Sequence, residues 1–441
     1  MSKLSFEINH ASLLKFAAPT ILMFVCMSVY LVIDGILVSQ AVGTDALAAI
    51  NIIMPILSAT LALAAMISTG GNALVAHQLG ERKLVDARQN FSLLVAACFV
   101  GSTVLAIVCW LMLEPLLKML GADRSLFELC RVYITPLLIS VPFVMGGMVV
   151  DNFFVVEGRP ELSLLSSTIG GVTNLVLDYI FLFEMGMGIE GAGIASGIGY
   201  TLSAIVGLIY FGVQRRGTLR FVRPILRPTV LSKAISNGMS ELVTALSMSV
   251  MIIVLNNIMM SAAGSDGVAA ISIAMYVEEL LLAVYMGYSE GVAPLMSFNQ
   301  GEQNFDRLRK IFRCSLRIIA VTSVSTFALS FVIADPIVGV FVEEGSPVHV
   351  LTVQGFKLFA FSFLFAGFNA YSSSMFTALN DGRISAVLSF CHTMVFLMGM
   401  LMVLPKVMGL RGVWLASPTA EFLSMLLSFA VFRWKAATYR Y

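Results

Sequence analysis

The chain has 441 residues, 58% of them hydrophobic and only 12% charged, with a mean hydropathy of +0.91. Soluble globular chains carry about 25% charged residues, so a soluble enzyme, a disordered chain and a basic nucleic-acid binder are excluded. The 27 Lys and Arg against 26 Asp and Glu leave a net charge of +1, which implies no attraction to a polyanion. At ~20 apolar residues per spanning helix, this length holds about twelve membrane spans.

Apolar runs predict spans over 13–39, 46–70, 91–113, 132–150, 162–183 and 191–213 in the first half. In the second half they fall at 235–260, 268–296, 314–333, 353–379, 384–403 and 413–432. Turn chemistry marks the breaks: Gly43-Thr44-Asp45, Gly80-Glu81, Gly121-Ala122-Asp123, Glu157-Gly158-Arg159-Pro160 and Gly264-Ser265-Asp266. Cys26, Cys98, Cys109, Cys314 and Cys391 lie inside apolar runs and Cys130 near a predicted loop, a pattern of free thiols without metal or disulfide spacing. Met1 to Leu13 lacks a small-residue cleavage site, so no cleaved signal peptide is expected.

Basic residues set the orientation. With the N-terminus inside, 21 Lys and Arg fall on the inner side and six on the outer, among them Lys118, Arg124, Arg131 and Lys357. The inner set includes Lys3, Lys15, Arg82, Lys83 and Arg88, and six residues from Arg215 to Lys233. This bias predicts a multi-pass protein of the plasma (inner) membrane with both termini cytoplasmic.

Positions 43–91 align without a gap on 264–312, at a shift of 221, with 16 identities in 49 positions. Gly43/Gly264, Asp45/Asp266, Gly70/Gly291, Gly80/Gly301 and Arg88/Arg309 are examples. The same shift lays Met187-Gly188 and Gly191 on Met408-Gly409 and Gly412. The expected fold is an all-α integral membrane protein of twelve transmembrane helices. They form two six-helix lobes related by pseudo-twofold symmetry along the membrane normal, a transporter design. The lobes are 1–213 and 235–441, joined by a basic cytoplasmic linker, 214–234.

Ionisable groups inside a span cost about 2.5–3.5 kcal/mol each on insertion scales, and so mark function by default. Asp34 in the first span and Asp178 in the fifth are the clearest cases. Asn174, four residues before Asp178, shares its helical face. At ~1.5 Å per residue, Asp34, Asp178 and Ser196 all sit about 7–8 Å below the outer boundary, with Asn174 one turn deeper. Two carboxylates, an amide and a hydroxyl suit H⁺ or Na⁺, because hard oxygen donors and crowded carboxylates favour either. The second-half positions matching Asp34, Asn174 and Asp178 fall near Leu255, Val395 and Gly399, so the ion site is expected in the first lobe alone.

Asn174-x-x-x-Asp178, Gly188-x-x-Gly191-x-Gly193-x-Ala195-Ser196, Pro19 fifteen residues before Asp34, and Gly287-x-x-x-Gly291-x-x-Pro294-x-x-x-x-Asn299-x-Gly301 stand out along the chain. Together they resemble the multidrug and toxic compound extrusion (MATE) family over essentially the whole chain. The resemblance implies a cation-coupled exporter of the prokaryotic branch, with Asp34, Asn174, Asp178 and Ser196 as coupling residues. Na⁺ would sit at Asp34, Asn174 and Asp178. Serine at 196 departs from the family's threonine but keeps the hydroxyl. The resemblance also implies that Pro19 bends the first helix, and an interior proline does remove one helical hydrogen bond.

The second lobe has its own acids, Glu241, Glu278, Glu279, Glu290 and Glu421. Glu241, Glu278 and Glu279 are candidate cavity residues that would attract cationic drugs, with interhelical hydrogen bonding as the alternative. Glu278 and Glu279 are ~100° apart on a helix, so one is expected to face the cavity and the other a neighbouring helix. Glu290 stands where the family pattern often has glutamine. The 26 methionines suit an adaptable apolar cavity, though each alone reads as span filler. Gly193-x-x-x-Gly197 reads as close helix packing. Gly287-Tyr288-Ser289-Glu290-Gly291 mimics a nucleophile elbow but lies on a membrane helix, and the four histidines are scattered.

The expectation is therefore a non-enzymatic secondary active multidrug efflux transporter without a cofactor, acting as a monomer in membrane lipid with no nucleic-acid partner. It would exchange amphipathic, foremost cationic, compounds for H⁺ or Na⁺ by alternating access. A flippase for lipid-linked saccharides of the related superfamily is the alternative. An intramembrane enzyme would need a paired His/Asp or metal constellation that the sequence does not display.

Overall fold

A computed structural model describes residues 4, 6–120, 122, 126–215 and 217–441, without the side chains at 32, 36, 39, 40 and 43–48. Lys3, Arg124, Arg216 and two positions of the Gly121-Ala122-Asp123 turn lie outside the described residues. So do the side chains of the Gly43-Thr44-Asp45 turn.

The described chain is almost wholly helical. The first half holds α1 (His10–Gly80), α2 (Leu84–Leu111), α3 (Leu113–Met119), α4 (Phe127–Val156), α5 (Pro160–Tyr179) and α6 (Ile189–Val213). The second holds α7 (Pro228–Asn237), α8 (Met239–Gly301), α9 (Phe305–Phe341), α10 (Pro347–Phe359), α11 (Phe363–Ala378), α12 (Gly382–Phe390), α13 (Met398–Met408) and α14 (Leu410–Tyr439).

Local chemistry explains the helix ends. Asn9 Oδ1 accepts from the Ser12 amide at 2.8 Å and Ser12 Oγ from the Asn9 amide at 2.9 Å, a reciprocal cap on α1. Pro160, Pro228 and Pro347 occupy the first turns of α5, α7 and α10, where a missing N–H costs nothing.

Eleven helical segments among the described residues are long and apolar enough to cross a membrane. α1 contains two, His10–Gly35 and Ala49–Gly80. α8, at 63 residues, is broken at Gly264 (φ 64°, ψ −153°), the predicted turn, so this one segment divides into two membrane-length parts. The helices outrun the predicted spans at several ends: α4 continues to Val156 rather than stopping at 150. α2 exposes Val100, Val104, Ile107 and Leu111 along one face, as a lipid-facing helix does.

Backbone conformation repeats with the sequence. Gly188 (φ 64°) and Gly409 (φ 58°), 221 apart, begin α6 and α14 in a region only glycine enters freely. Arg82 and Gln303 share the spacing and a left-handed φ. The halves meet reciprocally as well. A side chain on Gly80 would strike the Phe298 carbonyl, and one on Gly301 the His77 carbonyl; 77 and 298 are again 221 apart. These contacts join the end of α1 that leads into α2 to the end of α8 that leads into α9. The Arg307 guanidinium donates to the Phe6 carbonyl at 2.6 Å nearby.

The basic linker is more ordered than a loop. Glu157 accepts from the Thr218 and Leu219 amides at 2.8 and 2.6 Å. Arg88 donates to the Thr218 and Gly217 carbonyls, Arg227 pairs with Asp86 at 2.8 Å, and Phe221 stacks on Phe91 at 5.1 Å. Its last part is helix α7. Residues 217–227 are thus fastened to the first half.

Cys130, expected near a loop, is buried in α4 and its thiol points to the Ala49 carbonyl at 3.6 Å. No two of the six cysteines form a disulfide. Glycine 193 and 197 do mark close packing: a Cβ there would lie 2.7 Å from the Tyr133 carbonyl oxygen and 3.1 Å from Ser140 Oγ.

Candidate functional site

Three helices converge near the far ends of α1's first span and α5. On α5, Ser166, Gly170, Asn174 and Asp178 recur every fourth residue, so all four lie on one face, and all four are buried. Directly after Asp178 the helix widens into a π-turn over Ile180–Glu184, a local irregularity that often accompanies function. α6 brings Ser196 against this face, and Asn174 Nδ2 donates to Ser196 Oγ at 3.2 Å. α1 supplies Asp34, whose carboxyl group approaches that of Asp178 within hydrogen-bonding range. The four residues singled out from the sequence are therefore brought together.

Their bonding is incomplete. Asp34 Oδ1, Asn174 Oδ1 and both Asp178 carboxyl oxygens are buried and meet no protein donor among the described residues. Buried acceptor oxygens without donors are costly unless something positive lies beside them. Two carboxylates that touch repel; one proton shared between them makes a short charge-assisted bond, and a small cation bridges them. No cluster of three or more His, Cys, Asp or Glu that could hold a metal occurs among the described residues.

Three tyrosines surround the pair and escaped the sequence reading. Tyr30 and Tyr133 lie within electrostatic range of both carboxyl groups and Tyr200 of Asp34. Helical spacing could have found two of them: Tyr30 precedes Asp34 by four residues, and Tyr200 follows Ser196 by four. Pro19 sits at the other end of this span. There α1 passes α8 so closely that a Cβ on Gly291 would lie 3.2 Å from Ala17.

The second-half acids form two separate groups. Glu241 and Glu290 lie within charge range of each other on α8, and Ser374 Oγ donates to Glu290 Oε1 at 3.2 Å. Glu278 is half-buried and lies within range of Glu421 and Glu279, whereas Glu279 is exposed rather than packed on a neighbouring helix. Glu421 is fixed: His392 Nε2 stands 3.0 Å from Oε1, and Asn369 Nδ2 donates to Oε2 at 2.6 Å. The histidines are scattered in sequence, yet one makes a buried carboxylate pair. That pair was missed because its partners lie on helices separated by 29 residues. Glu421 also occupies the repeat position of Tyr200, 221 residues earlier.

The MatE family model matches residues 19–180 and again 241–402, two copies starting 222 residues apart. The chain belongs to the MATE family. As a MATE transporter it is 20% identical over 421 residues to the multidrug export protein MepA of Staphylococcus saprophyticus, covering 95% of this chain and 92% of that one. Against MepA of Staphylococcus haemolyticus it is 22% identical over 426 residues, covering 95% and 93%. An outward-facing multidrug resistance MATE transporter of the MOP superfamily superposes with a TM-score of 0.92 at 21% identity, covering 98% and 96%. At that identity the structural likeness is one of fold.

Proposed function

We propose that this MATE transporter is a secondary active multidrug exporter that exchanges amphipathic, foremost cationic, compounds for H⁺ or Na⁺ by alternating access. It would do so as a monomer of twelve spans in two lobes, 1–213 and 235–441, in the inner membrane with both termini cytoplasmic. The coupling ion binds Asp34, Asn174, Asp178 and Ser196. The observation that carries this reading is the set of four buried acceptor oxygens from α1 and α5 that lack donors. Membership of the family and the export role named for the MepA relatives support the substrate class.

The geometry suggests how an ion would do work. Two unit charges at about 4 Å repel by about 4 kcal/mol at an effective dielectric of roughly 20. With both carboxylates bare, α1 is pushed from α5; a proton or Na⁺ between them draws it back. A shift of that size changes a two-state population by about a thousandfold. The basic residues on the end where α1 leads into α2 and α8 into α9 support a cytoplasmic placement of that end.

The deciding experiment is transport of a fluorescent cationic drug by reconstituted protein under separately imposed proton and sodium gradients. Transport driven by one of them, and lost in Asp34→Asn, is expected. Transport indifferent to both gradients would refute ion coupling.

A further inference from the structure

Asp151 lies on α4, five residues before its end at Val156, in a stretch the predicted spans had left as loop. Ser203 of α6 donates to Asp151 Oδ2 at 3.2 Å, and Ser166 of α5 bonds Ser203 through Oγ–Oγ and Oγ–carbonyl contacts, both 2.9 Å. The other carboxyl oxygen, Asp151 Oδ1, is buried and meets no donor among the described residues. Ser166 and Ser203 are the groups that face Asp151 from α5 and α6; no charged or titratable side chain from a neighbouring helix acts on it among those described. An ionisable group inside a membrane helix marks function by default, and proton relays are one such use.

Its placement ties it to the site already described. Ser166 is twelve residues before Asp178 on the same buried face of α5, about 18 Å along the axis. On α6, Ser196, Tyr200 and Ser203 follow one another at four and three residues, again on one face. Between the two clusters the helices touch at glycine. A Cβ on Gly170 would lie 2.8 Å from the Gly199 carbonyl oxygen and 3.0 Å from Ser203 Cβ, and one on Gly199 2.8 Å from Asn174 Cβ. The same α5–α6 seam thus carries Asp178 and Asn174 at one end and the Asp151 cluster at the other.

We propose that Asp151, held by Ser203 and Ser166, is a second proton-binding site, in series with Asp34–Asp178 and nearer the end that carries the N-terminus. It rests on the ion-coupling reading above, and its role is to take up the proton that leaves the outer pair and release it on the cytoplasmic side. Each turnover adds one proton to the Asp151 carboxylate and removes one. The Ser203 hydroxyl keeps its own proton and turns from Oδ2 to Ser166 Oγ as the charge on Asp151 comes and goes.

Infrared difference spectra of the reconstituted full chain across a pH titration report protonated carboxyl groups directly. A carboxyl C=O band present in wild type, lost in Asp151→Asn and retained in both Asp34→Asn and Asp178→Asn, is expected. Ser203→Ala, which removes only the donor, should move the pH at which that band appears. In the same vesicles, Asp151→Asn should slow proton-driven dye export by about tenfold or more while dye binding at equilibrium is unchanged. An Asp151→Asn spectrum identical to wild type, or Asp151→Asn export at the wild-type rate under a proton gradient, overturns the proposal. Failure of the coupling reading looks different: Asp34→Asn would then export normally, while the infrared band still decides whether Asp151 binds a proton.

Discussion

The Ser196 hydroxyl accepts from the Asn174 amide. Ser196→Ala removes the acceptor of a 3.2 Å bond and frees the amide to turn away from Asp178. At about 1.4 kcal/mol for such a bond, apparent affinity for the coupling ion should fall about tenfold, read from the proton or sodium dependence of export, and Ser196→Thr should restore it. Asp34→Asn and Asp178→Asn should each abolish export in cells while the protein inserts and folds; near wild-type drug resistance at equal expression would remove them from the coupling site. Neutralising Glu278, which lies near Glu421, should weaken binding of cationic dyes more than neutral ones, as equilibrium fluorescence titrations would register. At this scale the acids, the amide and the hydroxyl were legible because polar atoms stand out in apolar runs and helical spacing aligns them. The tyrosines were passed over because their rings read as apolar filler, although spacing aligns Tyr30 with Asp34 and Tyr200 with Ser196; only the fold brings Tyr133 into electrostatic range of the pair. Asp151 was lost to a boundary: hydropathy alone ended its span at 150, one residue short, whereas α4 runs on to Val156.

α1 joins two kinds of contact, Asp34 against α5 near one end of its first span and Ala17 against Gly291 of α8 near the other. Pro19 lies two residues from Ala17 and leaves one carbonyl of that span without a helical partner, which softens it there. Pro19→Ala should therefore slow transport more than it weakens substrate binding, as a comparison of export rate with equilibrium dye affinity would reveal. α6 and α14 depend on the glycines that cap their N-terminal ends. Gly188→Ala forces a side chain into φ 64°, ψ −149°, a region that costs about 1–3 kcal/mol, and should lower the melting temperature in detergent. The turns at Gly264 and Gly158 were readable from composition, and both adopt positive φ. The capture of 217–227 by Glu157, Arg88 and Phe91 was not readable, because a charge-rich stretch looks the same whether it is solvated or pinned.

For the molecule as a whole, the repeat seen in the sequence reappears as reciprocal contact between its halves. Gly80 and Gly301 admit no side chain where each meets the other half. Gly301→Val should force that end apart, lengthening spin-label distances across it and lowering export. The repeat already left the second half without counterparts of Asp34, Asn174 and Asp178; what it did not foretell is the His392–Glu421–Asn369 cluster there. The fastened linker has a consequence for assembly. Since residues up to Arg227 ride with the first half, the covalent join sets only how concentrated each half is in the presence of the other. The peptide bonds at exposed positions 223–226 are then dispensable in principle, and two genes, cut there and expressed together, would encode the same machine with its yield governed by dosage.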